Sequence, residues 1–126
     1  MHFVEIVALL AVLQFLFFGI MVGKARMVSG IKAPAVTGDA GFERAYRVQM
    51  NTLEMLIAFF PALYVAAQHW SGWLVAAIGA VFLVGRMIYW RAYVKDPSTR
   101  SLGFALSFGP VLVLAVLGLI GAALAM

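Results

Sequence analysis

Between Phe42 and Pro61 the chain reads FERAYRVQMNTLEMLIAFFP, which places two arginines, an asparagine and two glutamates at the start of a membrane-length apolar run. At about 100° per residue, Glu43, Arg44, Arg47, Asn51 and Glu54 fall within roughly 100° of one another on a helix, and Leu53, Met55, Leu56, Phe59 and Phe60 spread over the rest. An ionisable side chain costs about 2.5–3.5 kcal/mol at the centre of a spanning helix and less near the surface, so such residues face a bundle interior or a wet cavity. The spacing therefore predicts that these groups look inward together, as the wall of a binding site. Arginine grips carboxylates through forked, charge-assisted hydrogen bonds, a glutamate can hold an ammonium group, and a further arginine can stabilise a thiolate. A pocket with excess positive charge and one placed carboxylate, Glu54, suits a small zwitterion such as glutathione, with its two carboxylates, amine and thiol. A structural ion-pair network inside the bundle is the alternative that the same residues allow.

The elements that must position this wall are apolar. The chain has 126 residues, 65% of them hydrophobic and 11% charged, and a mean hydropathy of +1.04. A soluble domain has roughly 45–50% apolar residues. This is an all-α integral membrane protein, and its length allows four spans of about 20 residues in one bundle, a single domain over 1–126. The first apolar run, Phe3 to Val22, lacks the basic start and small-residue cleavage site of a signal peptide, so it reads as a retained span. Gly23 to Gly41 reads as an exposed connection of about twenty residues, a length that is often functional. The second span runs from about Phe42 to Gln68 through Pro61, with Asp39 as its N-cap. A tight turn around Trp70 leads to the third span, about Trp73 to Tyr93, in which Arg86, Tyr89 and Tyr93 share roughly 60° of one face. After a short loop, Ser101 to about Ala125 is the fourth span, where Gly103 and Ser107 suit close helix packing.

All nine lysines and arginines lie in or beside the first and third connections. By the positive-inside rule both connections are cytoplasmic and both termini are out, so the net charge of +4 reports topology plus site chemistry rather than nucleic-acid binding. No cysteine is present, which excludes disulfides and a protein thiol nucleophile; any sulfur chemistry must use a substrate's thiol. No metal-spaced His cluster, P-loop or Ser-His-Asp set occurs, and no metal is expected.

Phe42, Glu43, Arg44, Arg47, Gln49, Asn51 and Glu54 spell FERxxRxQxNxxE, and RxxYxxxY from Arg86 to Tyr93 is followed seven residues later by Arg100. In these segments, their order and the four-span layout, the chain resembles the membrane-associated proteins in eicosanoid and glutathione metabolism (MAPEG). The resemblance implies a homotrimer of four-helix protomers that binds glutathione between neighbouring protomers near the cytosolic surface. It assigns Arg26, Arg47, Gln49, Asn51, Glu54, Tyr89 and Tyr93 to holding glutathione, Arg100 to stabilising its thiolate and Ser101 to assisting. Arg44 is read as structural. Met55 and Phe104 stand where some members have tyrosines, so neither eicosanoid product is carried over.

The expected activity is transfer of glutathione to a lipophilic small-molecule electrophile drawn from the bilayer, with peroxidase activity as a possible addition, in a bacterial inner membrane. A non-catalytic lipid-binding scaffold of the same fold is the alternative; that branch lacks the arginine matching Arg47, which this chain keeps. A small multidrug transporter using Glu5 is the third reading, weakened by the place of Glu5 at the span's edge.

Overall fold

A computed structural model covers every residue from Met1 to Met126. Four helices follow one another: α1 (His2–Ser29), α2 (Ala40–His69), α3 (Gly72–Lys95) and α4 (Ser101–Leu124), with a single 3-10 turn at Pro97–Thr99. Each is long and apolar enough to cross a membrane, so the protein is a multi-pass integral membrane protein. Short connections make successive helices antiparallel neighbours. Side-chain bonds mark the two ends: Arg44 at the start of α2 donates to Val94 and Lys95 carbonyls at the end of α3, and Trp70 after α2 donates to Leu117 O at 2.8 Å late in α4. Both basic connections thus lie at one end of the bundle.

The helix boundaries follow local chemistry. Asp39 Oδ2 accepts from Phe42 N at 2.9 Å, capping α2, and Glu43 accepts from Gly38 N across the same turn. The first helix corrects the expected layout. It continues past Val22 for about two more turns and stops at Gly30, whose positive φ of 78° closes it through a bond to Arg26 O. The connection is therefore Gly30 to Asp39, about half the expected length, and Lys24 and Arg26 are helical. The apolar run measured the hydrocarbon thickness, whereas a helix can continue into the polar interface on good helix formers until a left-handed residue ends it.

The main core joins α1, α2, α3 and α4 through Val7, Phe59, Leu63, Phe82 and Leu114, with Phe59 and Phe82 stacked at 4.0 Å between centroids. A smaller cluster of Phe18, Val48 and Tyr89 lies toward the basic end. Helices α3 and α4 approach very closely. A Cβ on Gly103 would collide with Tyr89 N, and one on Gly85 would stand 2.6 Å from the Leu106 carbonyl. The expected small-residue packing at Gly103 and Ser107 is thus realised against the backbone of α3.

Candidate functional site

The polar face of α2 divides in the folded chain. Arg44 and Asn51 turn toward α3, whereas Arg47 and Glu54 are exposed on the outside of the protomer. This corrects the expectation that all of these groups look into the bundle. The reason is angular: Arg44 and Asn51 lie at the edge of the roughly 100° sector nearest α3, and Arg47 and Glu54 lie nearer its other edge, beyond the contact line. Arg44 is structural, as expected, since its guanidinium satisfies carbonyls that the end of α3 leaves without intrahelical partners.

Asn51 leads to the most deeply sealed polar group. Arg86 is fully buried, with 0% of its surface exposed, as are Thr52 and Ser107 beside it. Its Nε donates to Ser107 Oγ at 2.8 Å, and its Nη1 donates to Asn51 Oδ1 at 2.8 Å and to Thr52 Oγ1 at 3.2 Å. Ser107 passes its own hydroxyl hydrogen to Gly103 O at 2.7 Å. The guanidinium carbon also lies 4.3 Å from the centre of the Tyr89 ring. An isolated buried charge is strongly disfavoured, and donation to several oxygens together with an aromatic face is what makes this one tolerable. No residue role beyond the shared face with Tyr89 and Tyr93 was legible for Arg86, and Thr52 carried no signal. Gly103 and Ser107 did signal the helix contact that brings an acceptor to it.

Tyr89 is 4% exposed, stacks on Tyr93 at 5.4 Å and 26°, and carries the Arg86 guanidinium over its ring. None of Arg47, Arg86 and Arg100 is within salt-bridge distance of a carboxylate; the chain's acid–base pair of that kind is His2 and Glu5 at the opposite end. Arg100 is exposed at the start of α4 and holds its Nη1 on Pro97 O at 2.8 Å, with Ser101 exposed beside it as the first residue of the helix. The turn carrying them is fixed by Asp96, whose Oδ1 accepts from the Ser98 hydroxyl at 2.8 Å and its backbone N at 3.1 Å. Those bonds hold the Asp96 carboxyl below the ordinary carboxylate range.

The two remaining candidates lie elsewhere. Arg26 donates to Ala35 O at 2.8 Å and covers the Phe42 ring at 4.6 Å, which fastens the first connection to α2. Gln49 packs against Gly19 of α1, about 160° round α2 from Arg47. One protomer therefore joins Asn51, Tyr89 and Tyr93 through Arg86, with Arg47 exposed one turn along α2 from Asn51 and Arg100 exposed at the start of α4, and sets Arg26 and Gln49 on another side of α2.

A model of the MAPEG family matches residues 4–120. The chain belongs to the MAPEG family. Within it, human microsomal glutathione S-transferase 2 is 35% identical over 93% of this chain and 80% of its own length. An uncharacterized Synechocystis protein, sll1147, is 40% identical over 88% of this chain and 81% of its own. Leukotriene C4 synthase from Cavia porcellus is 34% identical over 75% of this chain and 63% of its own. The four long apolar helices and the absence of strands are what membership of this MAPEG group requires of the fold.

Proposed function

We propose that this MAPEG protein is a membrane-bound glutathione transferase that holds glutathione as its thiolate and adds it to a lipophilic electrophile. The observation that carries the reading is that Arg47 and Arg100 are exposed, and Arg86 is buried against the Tyr89 ring, with no carboxylate within salt-bridge distance of any of them. Unpaired positive charge of this kind favours an anionic ligand, and the name of the microsomal glutathione S-transferase 2 relative points to which one. The residues fit it: Arg47 supplies a fork for a carboxylate, Glu54 an acceptor for the ammonium group, and Asn51, Tyr89 and Tyr93 neutral hydrogen-bonding groups.

Arg100 is assigned the sulfur. A guanidinium beside a thiol favours its ionised form, and the thiolate is the stronger nucleophile. The thiol proton leaves to water, with Ser101 assigned to share the hydrogen bond, and the sulfur lone pair forms a thioether bond to the electrophilic carbon as the leaving group departs with its bonding pair, as halide from an aryl halide. Peroxidase activity is an extension of the same thiolate chemistry.

Arg26 and Gln49 join this reading only if the site spans two copies, because α2 itself separates them from Asn51 and Tyr89. On the resemblance to the MAPEG family we assign the functional unit as a homotrimer, with each glutathione held between neighbouring protomers. Arg47 and Glu54, exposed on the outside of one protomer, would then be covered by the next. We assign the basic connections, and the site with them, to the cytoplasmic face with both termini out, an orientation that the positive-inside rule supports, and take the membrane to be a bacterial inner membrane.

Replacing Arg100 with alanine tests the reaction. Turnover of a chromogenic aryl halide should fall about 10²-fold while glutathione binding is retained, the magnitude seen when one donor to a developing anion is removed. Unchanged turnover would overturn the role of Arg100, and failure to bind glutathione with an unaltered chain would favour the lipid-binding scaffold.

A further inference from the structure

Arg86 touches neither the exposed α2 face nor the start of α4, yet it determines what one of the site groups can present. Arginine has only donors. Because Nη1 of Arg86 donates at 2.8 Å to Asn51, the asparagine must turn its carbonyl oxygen inward and its NH2 outward. On the buried side Ser107 of α4 accepts from Nε, Thr52 of α2 shares Nη1 and the Tyr89 ring covers the guanidinium face, while Nη2 is buried without a partner. On the outward side, Nδ2 of Asn51 has no partner within the protomer and is not among the buried polar atoms. It emerges one helical turn from Arg47 and one from Glu54.

We infer that Arg86 is a positioning residue that locks the Asn51 amide with its donor outward, so that the site offers an NH2 to an acceptor oxygen of the bound tripeptide. The inference rests on the glutathione reading above. An asparagine without this lock presents its oxygen as readily as its nitrogen, and an oxygen aimed at a carboxylate or peptide carbonyl repels it. The lock thus makes Asn51 selective for acceptor groups, in the same sense as the surrounding positive charge but through a neutral, oriented hydrogen bond.

The test is a double-mutant cycle read by calorimetric glutathione binding and by melting of the ligand-free protein in detergent. In Arg86→Gln the new amide accepts as well as donates, so the Asn51 orientation is released. Glutathione Kd should rise about tenfold, the loss of one good hydrogen bond. Asn51→Ala should give a similar rise, and the double variant should be no worse than either single one. Glutathione KM should rise with kcat at saturation little changed, whereas a merely structural lesion would lower the active fraction and leave KM alone. Thr52→Val removes another acceptor of Arg86 but keeps the Asn51 contact, so it should lower the melting temperature and leave Kd within about twofold.

If Arg86→Gln does not fold, Asn51→Asp takes its place. It keeps an oxygen on Arg86 and offers no outward donor, so the ligand-free protein should melt no lower than the unaltered chain while Kd rises at least about tenfold. Additive losses in the cycle, or tight binding by Asn51→Asp, would overturn the inference and leave the glutathione reading intact. An unaltered chain that does not bind glutathione would overturn both.

Discussion

At the scale of single residues, the economy of this bundle is set by Arg86. A charged donor bonded to a neutral oxygen contributes about 1.5–3 kcal/mol, and Ser107 supplies the acceptor for Nε from a different helix. Ser107→Ala should therefore lower the unfolding free energy by about 1–3 kcal/mol, because it leaves a buried charged N–H unmet; thermal melting in detergent measures this, and a change within about 0.5 kcal/mol would show that the contact is not a principal support. The sequence disclosed several residue roles for a local reason. Asp39 capping and the structural duty of Arg44 need only the position of a helix end. Arg86 was less legible because its burial depends on Thr52 and Ser107, which lie 34 and 21 residues away in the chain, and an arginine late in an apolar run reads equally well as an interfacial anchor.

At the scale of elements, the α3–α4 contact positions the candidate chemistry. It places Tyr89 on α3 beside the helix that begins with Arg100 and Ser101, and it does so by backbone-to-backbone approach at Gly85 and Gly103. Gly103→Ala would drive a methyl group into the Tyr89 backbone, with no flexible side chain to yield. The helices must part, at a cost of about 1–3 kcal/mol, and glutathione affinity should fall together with the melting temperature as Tyr89 moves. Retained stability and affinity would show that the contact can widen without disturbing the site. The number and order of spans were legible because hydropathy reports the bilayer directly. The end of α1 was not, since helix length and hydrocarbon thickness part company once Lys24 and Arg26 carry the helix beyond the membrane core to Gly30.

At the scale of the molecule, the polar face of α2 was legible as a group but its direction was not, because periodicity fixes angles between residues and leaves the neighbour unnamed. The protomer exposes Arg47 and Glu54 and separates Gln49 from Asn51, which is why a site shared between copies accounts for all the candidates together. Mixed assemblies test that arrangement. Protomers carrying Arg26→Ala and Gln49→Ala, co-expressed with protomers carrying Asn51→Ala and Glu54→Gln, should regain activity that neither regains alone, because some interfaces then combine an intact half from each. No recovery in verified mixed assemblies would place each site within a single protomer. The proposed activation of glutathione is tested most directly by an ultraviolet difference titration of the purified protein at neutral pH, which reads binding and thiolate absorbance together. A saturable thiolate band that is lost in Arg100→Ala is the predicted result; saturable binding with no thiolate band, or no binding at all, would contradict it.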